Sequence, residues 1–181
     1  MMLPITRGTI TTPFGEPRPV EGAKTHIHGA LDVAGGNMQA IAPVSGTVRA
    51  LVFLRSQTPW AKPDKDVIMA LPCREYWYDI YGGIIELRAD DGTYHLLTHF
   101  YASTLQKRFG RFEYIESKAE TRTPTIALCS EPFHILEGGR LCEVGNAGYS
   151  TGAHIHWEVH PTIGITSYAS RIDPTKLARV V

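Results

Sequence analysis

From His154 to His160 the chain alternates without exception, with His154, His156, Glu158 and His160 on one side and Ile155, Trp157 and Val159 on the other. A period of two over seven residues reads as a β-strand with one apolar face. That face is expected to pack on a core, with Trp157 in it. The opposite face carries three imidazoles and a carboxylate, so it must meet water, a metal or a substrate.

Other short runs rich in Val, Ile, Thr and aromatic residues carry the strand pattern along the chain, separated by scattered Gly and Pro. Gly8 to Pro13 reads as an opening strand, Gln39 to Phe53 as two strands broken near Ser45 and Gly46, and Ile84 to Arg88 as another. The last turns at Asp90-Asp91-Gly92, a hairpin signal because glycine takes the positive φ of a tight turn, and Tyr94 to His99 returns. Two stretches break the rhythm: Arg55 to Tyr78 holds Pro59, Pro63 and Pro72, and Lys107 to Thr125 is polar and charged. Both read as insertions or long loops, of a length often used for lids or binding surfaces. Part of Ser103 to Ala119 suits a short helix.

The chain of 181 residues is enough for one good core and short for two, so 1–181 is expected to be a single domain. A formal net charge of zero leaves no long-range field to gather nucleic acid or an anionic membrane. No apolar run approaches the roughly eighteen residues that span a bilayer, and Met1 to Thr12 lacks the basic segment and apolar stretch of a secretory signal. A soluble monomer is expected. Cys73, Cys129 and Cys142 are odd in number with no close pair, which fits neither a disulfide framework nor a cysteine zinc site; nothing supports a bridge from Cys73 to Cys129.

Seven of the eight histidines fall in clusters: His26 with His28, His95 with His99, and His154 with His156 and His160; His134 stands apart. Neutral imidazole is a favoured zinc ligand, and catalytic zinc sites usually take three protein ligands and leave a position for water. His28 precedes Asp32 by four residues, a spacing that suits a turn or bulged strand with both side chains around one ion. His154 and His156 share a strand face. His26 is a rival first ligand, six residues from Asp32.

His28-Gly29-Ala30-Leu31-Asp32 resembles the His-x-x-x-Asp motif of the M23 peptidases, the LytM and lysostaphin-like group. Gly145-Asn146-Ala147-Gly148-Tyr149-Ser150-Thr151-Gly152-Ala153-His154-Ile155-His156-Trp157-Glu158 resembles that group's glycine-rich approach to its His-x-His strand. Thr12-Pro13-Phe14-Gly15 is similar to the group's opening strand, Ile41 to Val48 to the strand pair after the first ligands, Leu97-Thr98-His99-Phe100 to its Tyr-Ala-His-Leu segment, and Leu136 to Arg140 to the turn before the last glycine run. Leu97 stands where a tyrosine is common, a change that the resemblance sets near the substrate. The likeness spans about Gly8 to Pro174 apart from the two insertions.

The resemblance implies a mainly β fold, an antiparallel sandwich or open barrel of the LytM, duplicated-hybrid-motif type, with insertions at about 55–78 and 107–125 and at most short helices. It also implies a zinc metalloendopeptidase of peptidoglycan stems or cross-bridges, acting on the cell wall in an extracellular, periplasmic or phage-delivered setting. The zinc ligands would be His28, Asp32 and His156, and the unliganded catalytic histidines His99 and His154. Glu158 is either a partner that orients a ligand or a solvent-facing carboxylate; His95 reads as surface or cleft rim, and His134 and His160 as structural or solvated. One rival is a catalytically inactive module, for wall binding, regulation or a virion, that kept the fold. A carrier domain of the biotinyl or lipoyl type is the other, but no lysine occupies a plausible attachment turn around Val44 to Val48.

Overall fold

The computed structural model describes residues 2–18, 26–53, 81–117, 125–161 and 170–177. Among them the architecture is mainly antiparallel β, with one α-helix and no closed barrel. Strands β1 (Thr9–Thr12), β4 (Leu31–Ala34), β6 (Gly46–Phe53), β7 (Gly83–Ala89), β8 (Tyr94–Phe100), β9 (Phe112–Ser117), β10 (Thr125–Ser130) and β13 (His154–His160) form one sheet in the order β1-β4-β13-β8-β7-β6-β10-β9. β11 (Phe133–Ile135) pairs with the other end of β6. Two small sheets flank it: β2 (Pro17–Arg18) with β3 (His26–Ile27), and β5 (Gln39–Ile41) with β12 (Arg140–Glu143).

The expected strands form, and part of one expected loop is regular structure. The run Gln39 to Phe53 breaks as expected, but its halves do not pair: β5 joins β12 while β6 joins β7. Lys107 to Thr125 is not one long loop. Helix α1 (Ala102–Phe109) covers its start, burying Leu105 and Phe109 one turn apart and ending at Gly110, whose φ of 75° an L side chain rarely adopts. Phe112–Ser117 after it form β9, which pairs with β10 at the edge of the sheet. Residues 54–80 and 118–124 lie outside the described set, and with them Cys73 and the insertion at 55–78. Cys129 and Cys142 are buried free thiols.

Alternation along β13 divides the sheet into two faces. Ile155, Trp157 and Val159 sit with Leu31, Val33, Ile85, Leu87 and Leu97 in the main core, all fully buried. Leu97, opposite Trp157, is therefore core and not near a substrate. The other face carries Asp32 and His156, then the smaller apolar cluster of Tyr81, Ile84, Tyr94 and Leu96. This covering corrects one expectation: Glu158 and His160 meet neither solvent nor an open cleft, being fully buried.

His95 and His99 do not share a face. His95 lies opposite Val159 on the core side, stacked on Trp157, whose indole N–H donates to its Nδ1 at 3.1 Å. Its burial pushes its pKa down to about 4. Between Leu97 and Phe100, β8 carries one residue more than β7 opposite it, and His99 has a φ of 73°. This bulge turns His99 out of the core register onto the opposite face.

Gly145 lets the next segment lie directly over the bulge. A Cβ there would meet the His99 carbonyl oxygen at 2.3 Å and the Tyr101 nitrogen at 2.9 Å, both main-chain atoms that cannot swing aside. Gly145→Ala is expected to lower stability by about 1–3 kcal/mol, the usual range for overpacking, read from the urea midpoint. An unchanged midpoint would show that the close approach is not needed.

Candidate metal centre

Three strands and one loop deliver the site. β13 pairs with β4 in a register that sets His156 directly opposite Asp32, so both side chains rise from the same face at adjacent positions. His28 follows β3, and the main chain turns through Gly29 and Ala30 to bring its ring back over Asp32. His28 and Asp32 are buried, and His156 is largely so.

The three side chains converge tightly. His28 Nε2 lies 3.2 Å from His156 Nδ1 and 3.3 Å from Asp32 Oδ1, and His156 Nδ1 lies 2.8 Å from the same oxygen. Each ring's other nitrogen is engaged elsewhere: His28 Nδ1 donates to the Pro13 carbonyl at 3.3 Å, and His156 Nε2 donates to Glu158 Oε1 at 3.1 Å. Those bonds set the tautomers, so in the neutral rings both lone pairs face the Asp32 carboxylate. Three acceptors facing one another repel unless a cation or a proton lies between them. Ligand atoms about 2.0–2.1 Å from a tetrahedral ion lie roughly 3.3 Å apart, so the donor set fits a zinc-type ion with an opening of about half an ångström at one edge. His28 supplies the first ring of this cluster; the side chain of His26 lies outside the described residues.

His99 and His154 flank the cluster. Their ring centroids are 4.6 Å apart, and that of His99 is 5.8 Å from that of His156. His99 Nδ1 donates to the Ala147 carbonyl at 2.8 Å, while the Ala147 N–H returns a bond to the His99 carbonyl at 3.0 Å. His154 Nδ1 donates to the Gly152 carbonyl at 2.8 Å, with Ser150 Oγ at 3.1 Å. Both rings thus leave Nε2 for the cleft, and His154 Nε2 lies 3.8 Å from Asp32 Oδ1. The glycine-rich run 145–153 supplies both backbone acceptors.

The electrostatics separate two kinds of histidine. Burial, with repulsion from His156 and His154, pushes His99 down to about 3, and burial also lowers His154. Both are neutral near pH 7 and can accept a proton at Nε2. Burial alone would lower His156 too, but its bonds to Asp32 and Glu158 hold its pKa above the ordinary imidazole value. Burial likewise works to raise Asp32, yet the hydrogen bonds and charges of His156 and His28 keep it well below the usual carboxylate range.

Sequence reasoning missed several contacts. Arg18, on the two-residue strand β2, places Nη2 2.8 Å from Asp32 Oδ2, leaving Oδ1 to the cluster. No local pattern marks it, because its partner lies fourteen residues on. Glu158, left open between ligand partner and solvent-facing carboxylate, is the buried partner of His156; Tyr81, His160 and Arg171 also reach it. His134 forms an exposed pair with Asp90 at 3.2 Å, away from these contacts.

Metal affinity should rise with pH. His156 holds a proton to higher pH than free imidazole does, and a cation must displace it from Nδ1, so affinity climbs through that titration and levels off above it. Calorimetry with zinc in buffers of different ionisation enthalpy is expected to show proton release that shrinks as the pH is raised from the ordinary imidazole range upward. A constant affinity across that rise would contradict the assignment of the proton.

No family model and no curated protein matches the chain. Solved structures do match its shape. The catalytic domain of the antimicrobial peptidase lysostaphin from Staphylococcus simulans superposes with a TM-score of 0.50 at 16% identity, covering 93% of this chain and 90% of that one. The catalytic domain of a mutant of the prophage-encoded M23 protein EnpA from Enterococcus faecalis gives 0.50 at 16% identity, with 95% and 92% covered. A structure of the SpoIIIAH and SpoIIQ complex gives 0.51 at 13% identity, with 98% and 99% covered. With the strand order and the His28, Asp32 and His156 cluster above, these likenesses give the chain the fold of the M23 peptidase domains.

Proposed function

We propose that the chain is a zinc-dependent metalloendopeptidase that cleaves peptide bonds in peptidoglycan stems or cross-bridges. His28, Asp32 and His156 are the metal ligands in this reading, and His99 and His154 the unliganded catalytic histidines. The observation that carries it is the triangle of His28 Nε2, Asp32 Oδ1 and His156 Nδ1, with two neutral imidazoles beside it. Zinc bound by two imidazoles and one carboxylate keeps net positive charge, which acidifies a bound water and polarises a carbonyl oxygen.

The chain's own groups do the rest. Of the two imidazoles at the cleft, one takes the proton of the attacking water at Nε2 and passes it to the departing amine nitrogen. The other, neutral in the resting site, faces the negative charge that grows on the carbonyl oxygen and donates to it once it has taken up a proton at Nε2. The backbone bonds from their Nδ1 atoms to Ala147 and Gly152 hold the rings in place between the two steps. The substrate lies outside the cytoplasm, so the chain works at a wall reached from the extracellular side, the periplasm or a phage particle, as a monomer. Among the described residues no helix is long and apolar enough to cross a membrane.

Zinc-loaded protein incubated with purified sacculi of several cross-bridge types is expected to release soluble fragments, identified by mass. His154→Ala should lower release by roughly 10²- to 10⁴-fold, the usual share of a positioned acid or base, with bound zinc unchanged. The SpoIIIAH and SpoIIQ structure favours a second reading, a non-hydrolytic module that assembles with a protein partner, because a protein of this fold was solved in such a complex. Retention of the zinc-loaded chain on every sacculus type without release would overturn the peptidase and leave that module.

A further inference from the structure

The proposed ligands lie on two segments far apart in sequence, the turn from His28 to Asp32 and strand β13, with Asp32 and His156 124 positions apart. A third segment, residues 170–177, touches both. The Ile172 N–H donates to the Val159 carbonyl at 2.8 Å, which lays the segment against β13. Asp173 Oδ1 then accepts from the Thr175 N–H at 2.9 Å and caps a 3₁₀ turn (Pro174–Lys176) that follows the contact.

The Arg171 side chain is only 5% exposed, and a single nitrogen serves both ligand segments. Nη1 donates to Glu158 Oε1 at 2.9 Å and to the Gly29 carbonyl at 3.3 Å. Glu158, fully buried, is the acceptor for His156 Nε2–H, while the Gly29 carbonyl belongs to the turn between His28 and Asp32. One charged N–H group therefore ties the carboxylate behind one ligand to the backbone that carries the other two.

We propose that Arg171 is a positioning residue of the metal centre: through Nη1 it couples the His28–Asp32 turn to Glu158 and so holds His28, Asp32 and His156 in one ligand geometry. This rests on reading those three residues as the ligands. The charge matters as well as the shape. A carboxylate at a fully buried place needs ionised or strongly polar donors to remain an acceptor, and it is as an acceptor that it orients the His156 ring. Without Arg171, Tyr81 and His160 still reach Glu158, but the Nη1 donor that bridges Glu158 and the Gly29 carbonyl is gone.

Zinc dissociation constants of the full chain, measured by competition with a chromophoric chelator well below each variant's melting temperature, test the coupling. Arg171→Met is expected to weaken zinc roughly 10- to 100-fold, the usual effect of removing a partner that orients a ligand. Arg171→Lys, which keeps a cation, should recover all but a few-fold of that loss. The visible absorption of the cobalt-loaded Met variant should change in shape, since its ligand geometry is altered, and mere loss of packing would leave that spectrum alone. Zinc affinity of Arg171→Met within about twofold of the unsubstituted chain, or a Lys variant as weak as the Met variant, overturns the proposal. If the Met variant does not fold, Arg171→Gln takes its place under the same criterion. An unsubstituted chain that takes up no zinc would overturn the ligand assignment itself, and this coupling with it.

Discussion

The pairing of β13 with β4 on one side and β8 on the other is the constraint on which the site depends. Antiparallel strands place directly opposed residues within about 5 Å on the same face, so the match of His156 to Asp32 creates two thirds of the ligand cluster without any loop. A slip of one residue would carry His154, His156 and Glu158 to the core face and lift Trp157 to the surface. Burial of Trp157 between its neighbours opposes that slip, so the core enforces the chemistry above it.

On the opposite face the same strand descends into protein. His154 lies at the cleft, His156 at the ligand cluster, and Glu158 and His160 beneath apolar cover from Tyr81, Tyr94 and Leu96. The alternation that brings the ligand outward also buries a carboxylate two residues further on. That carboxylate is tolerated because His156, His160, Arg171 and Tyr81 all donate to it. These donors, with the charge of Arg171, outweigh burial and hold Glu158 well below the usual carboxylate range, so the His156 tautomer rests on an acceptor that is ionised near neutral pH.

Local patterns made much of this legible. The hairpin at Asp90-Asp91-Gly92 was readable because a tight turn needs glycine at positive φ, and Gly92 has a φ of 90°. β9 was not, since Phe112, Tyr114 and Ile115 stand within a polar, charged stretch, and it is the pairing with β10 that makes them an edge strand. His95 was misjudged because, four residues from His99, it would share that residue's face in a regular strand; the bulge that separates them packs main chain to main chain against Gly145 and Ala147, which lie far along the sequence.

Sequence alone settled which residue types stand at which spacing: a strand with imidazoles on one side, a His-x-x-x-Asp turn, and a glycine run ahead of the strand. Those follow from the two-residue period and from the conformations that glycine permits, both of them local properties of the chain. Only the tertiary structure decided that the clusters converge, that Arg18 holds the second oxygen of Asp32, and that Arg171 joins the two ligand segments. These contacts link residues from fourteen to more than a hundred positions apart, and their geometry is set by strand order and packing, which no local period encodes.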